Sequence, residues 1–195
     1  MIDALPPSEA AFYSEESNVI CWEGKSTSQL HELESQYGFY GGSLHQIVTY
    51  FLRADLPPNM WEWREYSKVK SISGMSAVIK TRYFSQRKLI MCVTFQFLAC
   101  DVIGRSNLGM EGGGSLARLH STSGKWSAAI CDQSQAFSKI IVPYWMRAYQ
   151  AAPPLPAALV MNALPLTMQK SVSPETLVCA CYCRLAMGFS HAVHI

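Results

Sequence analysis

The sequence predicts an α+β protein built from a strand hairpin, an antiparallel sheet and packed helices. Short apolar runs bounded by turn residues recur from Gly74 onward: SAVIK, KLIMCV, KWSAAICD and ETLVCACYCRLAM. Two earlier segments, QLHELESQY and LHQIVTYFLR, instead carry their apolar residues at helical spacing. The chain has 195 residues, 49% hydrophobic and 15% charged, enough for one sizeable core and incompatible with disorder over the whole length.

In chain order, residues 1–24 are polar, carry Pro6-Pro7 and show no clear period, so they read as a loose lead-in. Ser26-Thr27-Ser28 is a capping-like start for QLHELESQY, which ends at the breakers Gly38 and Gly41-Gly42. Ser43 caps LHQIVTYFLR, where Leu44, Ile47, Val48, Phe51 and Leu52 form one face, and Pro57-Pro58 closes it. NMWEWREYSK reads as an aromatic helix or loop in which Trp61 and Trp63 staple the lead-in onto the core. From Gly74 the pattern becomes strand, basic turn (TRYFSQR), strand, and TFQFLACDVIG continues as a helix. Leu108 to Ser115 is a glycine-rich loop, and LARLH is a short element after it. KWSAAICD is a buried strand ending at Asp132, followed by a helix or turn in SQAFSKIIV. Pro143, Pro153, Pro154, Pro156 and Pro165 divide the next stretch into short helical pieces. ETLVCACYCRLAM is a strand and GFSHAVHI begins another helix. The expected organisation is a helical N-terminal lead-in over 1–70 and a part carrying the chemistry over 71–195.

A formal net charge of +2 gives no strong electrostatic footprint. Twelve of the 14 acidic residues lie between Asp3 and Glu111, leaving only Asp132 and Glu175 beyond them. That scarcity restricts any chemistry based on paired carboxylates. The N-terminus has neither a basic nor an apolar signal region, and LIMCVTFQFLACDVI is too short and too polar for a membrane span. Seven cysteines, an odd number without a secretory signal, point to free thiols and an intracellular location. In a strand, Cys179, Cys181 and Cys183 stand on one face; the spacing suits small core residues better than zinc ligands.

Asp132, followed by Ala136 and Phe137, is the most informative unit. A carboxylate at a strand end can hold a divalent metal, a small residue admits a substrate to the backbone, and an aromatic makes a wall that tests a sugar. The plainer alternative is a strand–loop–helix joint with Asp132 as N-cap and Phe137 in the core.

Asp132-x-x-x-Ala136-Phe137, continued by Ile140-Ile141-Val142-Pro143, resembles the first catalytic motif of reverse transcriptases. Arg184 to Ala192, centred on Gly188-Phe189, resembles that family's second motif, where a Gly-aromatic pair opens a helix against template and nucleotide. Lys80 and Arg87, in the strand–turn–strand, are similar to the Lys and Arg of the fingers hairpin. The resemblance covers residues 75–195 and implies a fingers hairpin plus an incomplete, palm-like antiparallel sheet. It implies Asp132 as the catalytic, Mg²⁺-binding carboxylate and Phe137, beside Ala136, as the sugar gate. It further implies Lys80 and Arg87 as phosphate ligands and Gly188 as the shaper of the nucleotide-side helix. The implied partners are a nucleic-acid template-primer and a deoxynucleotide, with no membrane. The chain departs from the pattern at Met91 and Cys92, at Ala186 and Met187, and at Val193. The aromatic-x-Asp-Asp motif is missing before Ile195, so template-directed nucleotidyl transfer is expected only if downstream sequence completes the site, and this chain is expected to be inactive.

Other features are weaker. Glu111 to Ser115 lacks the Lys-Ser/Thr of a P-loop. His191 and His194 are expected to be frayed and solvated, and Ser134 has no triad partners. Arg82, Arg87, Lys88, Arg105, Arg118 and Lys125, interleaved with Tyr83, Phe84 and Trp126, form either a nucleic-acid track or a solvated basic surface. Two rival readings stand beside the resemblance: a non-catalytic α+β binding or interaction module, and a poorly folding retroelement remnant.

Overall fold

The computed structural model describes residues 5–41, 59–79, 86–100 and 136–193 and is α+β, with two three-stranded sheets and short helices. LHQIVTYFLR, KWSAAICD, the glycine-rich loop and LARLH lie outside the described residues.

The lead-in is ordered rather than loose. Helix α1 (Pro7–Ser14) begins with proline in its first turn, whose fixed φ suits that position, and α2 (Glu16–Val19) follows directly. Tyr13 and Val19 are buried, so tertiary packing holds a segment whose own periodicity is weak. Helix α3 (Thr27–Tyr37) has a full capping box. The Ser26 side chain accepts from the Gln29 backbone N–H, and the Gln29 side chain accepts from the Ser26 backbone N–H.

Strand β1 (Tyr40–Gly41) pairs in parallel with β3 (Gly74–Ile79), which forms an antiparallel hairpin with β4 (Gln86–Met91). The hairpin is the one expected from SAVIK and KLIMCV. Between β1 and β3 in sequence lies β2 (Trp61–Glu65), a strand where a helix or loop was expected. Its alternation Trp-Glu-Trp-Arg-Glu has the period of a strand, and its partner lies more than a hundred residues away. Helix α4 (Val93–Leu98) follows β4 and buries Thr94, Phe95 and Leu98.

The remaining elements are short, as the prolines dictate. Helix α5 (Ala136–Lys139) leads to a 3₁₀ turn at Trp145–Tyr149; β5 (Leu155–Pro156), α6 (Ala157–Val160), a second 3₁₀ turn and α7 (Leu166–Gln169) follow. Strand β6 (Leu177–Tyr182) is the centre of the second sheet, between β2 and β5 and antiparallel to both. The last described turn is 3₁₀, Ser190–Val193.

Both faces of β6 are covered. Val178 and Ala180 pack with Met75, Leu155, Ala157 and Val160, against which Trp61 and Trp63 lie half-buried. Cys179 and Cys181 face Ile72 and Ala151. Ala151 links β6 to the segment that leads into β3, pairing with Cys181 on one side and with Ile72 on the other. The largest core joins Tyr13, Val19 and Leu30 to Phe95, Met146, Tyr149, Leu185 and Phe189, so residues before and after position 70 share it. Among the described residues no helix is long and apolar enough to cross a membrane.

Candidate functional site

The two motif-bearing segments come together at one end of β6. Ala136 opens α5, and Phe137 lies half-buried against the largest core. The chain beyond Phe137 then runs antiparallel to the chain beyond β6. Ile141 bridges Arg184, the Val142 N–H donates to the Cys183 carbonyl at 3.1 Å, and the Leu185 N–H donates to the Ile140 carbonyl at 2.9 Å.

Gly188 has φ +96°, a left-handed conformation that favours glycine. Its neighbour Phe189 turns inward and stacks on Phe95, with centroids 4.2 Å apart. Met187 faces solvent. Arg87 stands opposite Val78 in the β3–β4 pair. Asp132 and Lys80 lie outside the described residues. Glu175, the other late carboxylate, is exposed just before Leu177, the far end of β6 from Arg184.

His191 is not frayed. It is buried, donates from Nε2 to the Cys100 carbonyl at 2.9 Å, and shares a 3.3 Å hydrogen bond with the Tyr13 hydroxyl through Nδ1. A neutral ring protonated on Nε2 satisfies both contacts. It also stacks on Phe189, which gives the last turn an aromatic reason to fold inward. His194 lies outside the described residues.

A polar cluster that sequence reading missed occupies the β2–β6 edge beside the joined segments. Glu62 and Arg64 are two apart on β2 and so share a face, opposite Cys181 and Cys179. Arg64 Nε donates to Glu62 Oε1 at 2.6 Å, and its Nη2 donates to the Tyr144 carbonyl at 3.2 Å. Arg147, from the 3₁₀ turn, donates through Nη1 to Glu62 Oε2 at 2.6 Å. Both guanidinium groups lie against the Tyr144 ring, at 4.4 Å for Arg64 and 5.4 Å for Arg147. The buried Cys183 thiol sits 3.9 Å from Glu62 Oε2. Burial and Glu62 push that thiol up to about 11, against the pull of Arg147, Arg184 and Arg64. It is therefore protonated and unreactive at neutral pH. The available signal was the alternation in WEWRE, but nothing in the sequence ties it to residue 147.

Other polar features serve structure. Gln150, fully buried, donates to the carbonyls of Tyr182 and Arg184 and accepts from the Ala186 N–H, fixing the turn after β6. A shallow hollow lined by His31, Glu34, Tyr66 and Pro154 is occupied by structural bonds, since Glu34 accepts from the Ile72 N–H at 2.9 Å. Among the described residues no three His, Cys, Asp or Glu side chains are grouped to hold a metal, and six cysteines are free thiols.

What fold and site define is an α+β protein with a cationic, aromatic-edged cluster next to the paired motif segments. Comparison with protein-family models, curated proteins and solved structures finds no match to this chain.

Proposed function

We propose that this chain is a reverse-transcriptase-like nucleic-acid-binding polypeptide, a fingers hairpin and the beginning of a palm, that does not extend a primer by itself. The observation that carries this is the pairing of residues 140–142 with 183–185. It brings the segment after Asp132-x-x-x-Ala136-Phe137 alongside the segment before Gly188, as a shared template and nucleotide site requires. Arg87, which the resemblance implies as a phosphate ligand together with Lys80, stands on β4 of the β3–β4 hairpin. Asp132 is the carboxylate for Mg²⁺. The sequence offers it only Glu175 as a later companion, fewer carboxylates than a two-metal site uses.

The test is fluorescence anisotropy of the full chain with a labelled RNA–DNA primer-template, paired with a primer-extension assay containing Mg²⁺ and deoxynucleotides. Salt-dependent binding without extension is expected, and K80A/R87A is expected to weaken binding of a deoxynucleoside triphosphate. Absence of nucleic-acid binding at low salt would overturn the reading and favour a protein-interaction module.

A further inference from the structure

The two partly exposed thiols stand side by side. Cys21 follows α2 and Cys100 follows α4, and their segments meet in the isolated antiparallel bridge Ile20–Ala99. The Cys21 N–H donates to the Leu98 carbonyl at 2.9 Å, and the Cys100 N–H to the Val19 carbonyl at 2.7 Å. Each cysteine is the next residue after a bridge partner, so both side chains leave the pair on the same side. Diagonal neighbours of this kind have Cα atoms roughly 7–8 Å apart, with the Cβ atoms nearer. A disulfide needs about 4.4–6.8 Å between Cα atoms. Among the described residues no ladder continues beyond the bridge to hold the two segments apart. The two thiols are already within hydrogen-bonding reach of each other. Burial and the neighbouring Cys21 raise the Cys100 thiol, while Lys25, whose Nζ donates to the Ala99 carbonyl at 3.0 Å, favours its thiolate. Cys92, Cys179, Cys181 and Cys183 are buried and do not compete for a reagent from solvent. The joint also matters to the fold: Val19, Ile20, Leu98 and Ala99 lie in the largest core, and the Cys100 carbonyl accepts from His191 Nε2 at 2.9 Å.

We propose that Cys21 and Cys100 form a reversible disulfide, a redox staple that ties α2 to α4 and, through the Cys100–His191 bond, steadies the turn carrying Gly188 and Phe189. The oxidant is a low-molecular-weight disulfide such as oxidised glutathione. One cysteine loses its thiol proton and attacks the glutathione disulfide, forming a mixed disulfide and expelling one glutathione thiolate, which takes up a proton. The second cysteine, deprotonated in turn, attacks the protein sulfur of that mixed disulfide, and the second glutathione leaves. The protein dithiol is thereby oxidised and one oxidised glutathione is reduced to two thiols. The bond restricts the unfolded chain between positions 21 and 100, which favours the folded state. Neither step involves nucleic acid, so the staple and nucleic-acid binding fail separately.

The experiment incubates the reduced full chain with oxidised glutathione at about pH 8, where thiolate begins to form, alkylates the remaining thiols and maps non-reduced peptides by mass spectrometry. A peptide pair joined at Cys21 and Cys100 is expected, with a thermal midpoint about 5–15 °C above that of the reduced chain. Dithiothreitol should reverse both. C21S is expected to show no such rise and to take a single glutathione at Cys100, and C100S the converse. The main comparison is oxidised against reduced wild type, so it holds even where a variant folds poorly. Stable glutathione adducts on both thiols without an internal bond would mean two independent cysteines and overturn the proposal. A bond from either one to Cys131, which lies outside the described residues, would do the same. A Cys21–Cys100 bond that leaves the midpoint unchanged, or lowers it, would sink the staple.

Discussion

Glu16 shows how one exposed-edge carboxylate becomes a structural group. Lys70 Nζ reaches it at 2.6 Å, and the Tyr149 hydroxyl donates to it at 2.5 Å. Partial burial raises its pKa, but those hydrogen bonds and the Lys70 charge outweigh burial, so its folded-state pKa lies below the ordinary 4.5. A lowered folded pKa means the unfolded chain binds the proton more readily. The stabilisation is therefore complete above 4.5 and is lost as pH falls through the folded value. Urea midpoints from pH 7 down to 3 should show this acid limb, and E16Q should flatten it; an unchanged slope in E16Q would remove Glu16 from the account. The interior counterpart is Gln150, whose amide serves two carbonyls and one N–H in the turn after β6. Q150L keeps the volume and strands those groups, so it should cost about 2–3 kcal/mol in urea denaturation.

Two glycines separate steric from conformational necessity at the level of elements. A Cβ at Gly74 would strike the Tyr37 carbonyl at the end of α3 and the Met91 side chain on β4. The close approach of α3 to β3 thus depends on the missing side chain, and G74A should destabilise by about 3 kcal/mol, the upper end of overpacking costs. Gly188 meets nothing within 4 Å; only its φ of +96° resists substitution. G188A should cost less, about 1–2 kcal/mol. Thermal melts of the two variants, read by circular dichroism, check the order, and an equal loss would refute it. Neither requirement was visible in the sequence, where Gly74 marked only a change of pattern. Legible elements owed their form to local chemistry: the Ser26–Gln29 cap of α3, the β3–β4 hairpin, and the short helices between prolines. What escaped was set by distant partners. Strand β2 exists because β6 pairs with it, and α1 folds because Tyr13 is buried in the main core and bonded to His191. The Arg64–Glu62–Arg147 cluster was illegible for the same reason, whereas Asp132 and Phe137 were singled out by a local pattern.

At the scale of the molecule, β6 is the axis about which everything else is placed. It carries Cys179 and Cys181 against Ile72 and Ala151, next to the segment that leads into β3, and its end delivers Cys183 to Glu62. Burial pushes the Cys179 thiol up to about 12, raises Cys181 further, leaves Cys183 near 11, and pushes Cys92 in the main core to about 12. Reactivity of these four thiols therefore reports on the whole assembly, because each becomes a nucleophile only when water reaches it. Cys21 and Cys100 are partly exposed beside the short Ile20–Ala99 bridge and supply an internal reference. In the native chain at pH 8, a maleimide reagent followed by peptide mass mapping should modify Cys21 and Cys100 before the four buried thiols. Cys92, Cys179, Cys181 and Cys183 should follow together, at one rate that rises with urea as global unfolding does. A single shared rate would mean that the main core and the β2–β6–β5 sheet open as one cooperative unit, which a poorly folding remnant cannot do. If the four thiols react as fast as Cys21, β6 is not closed in solution. The Arg147–Glu62 pair beside Cys183 would then be open to water as well, and the reading as a poorly folding remnant would be favoured.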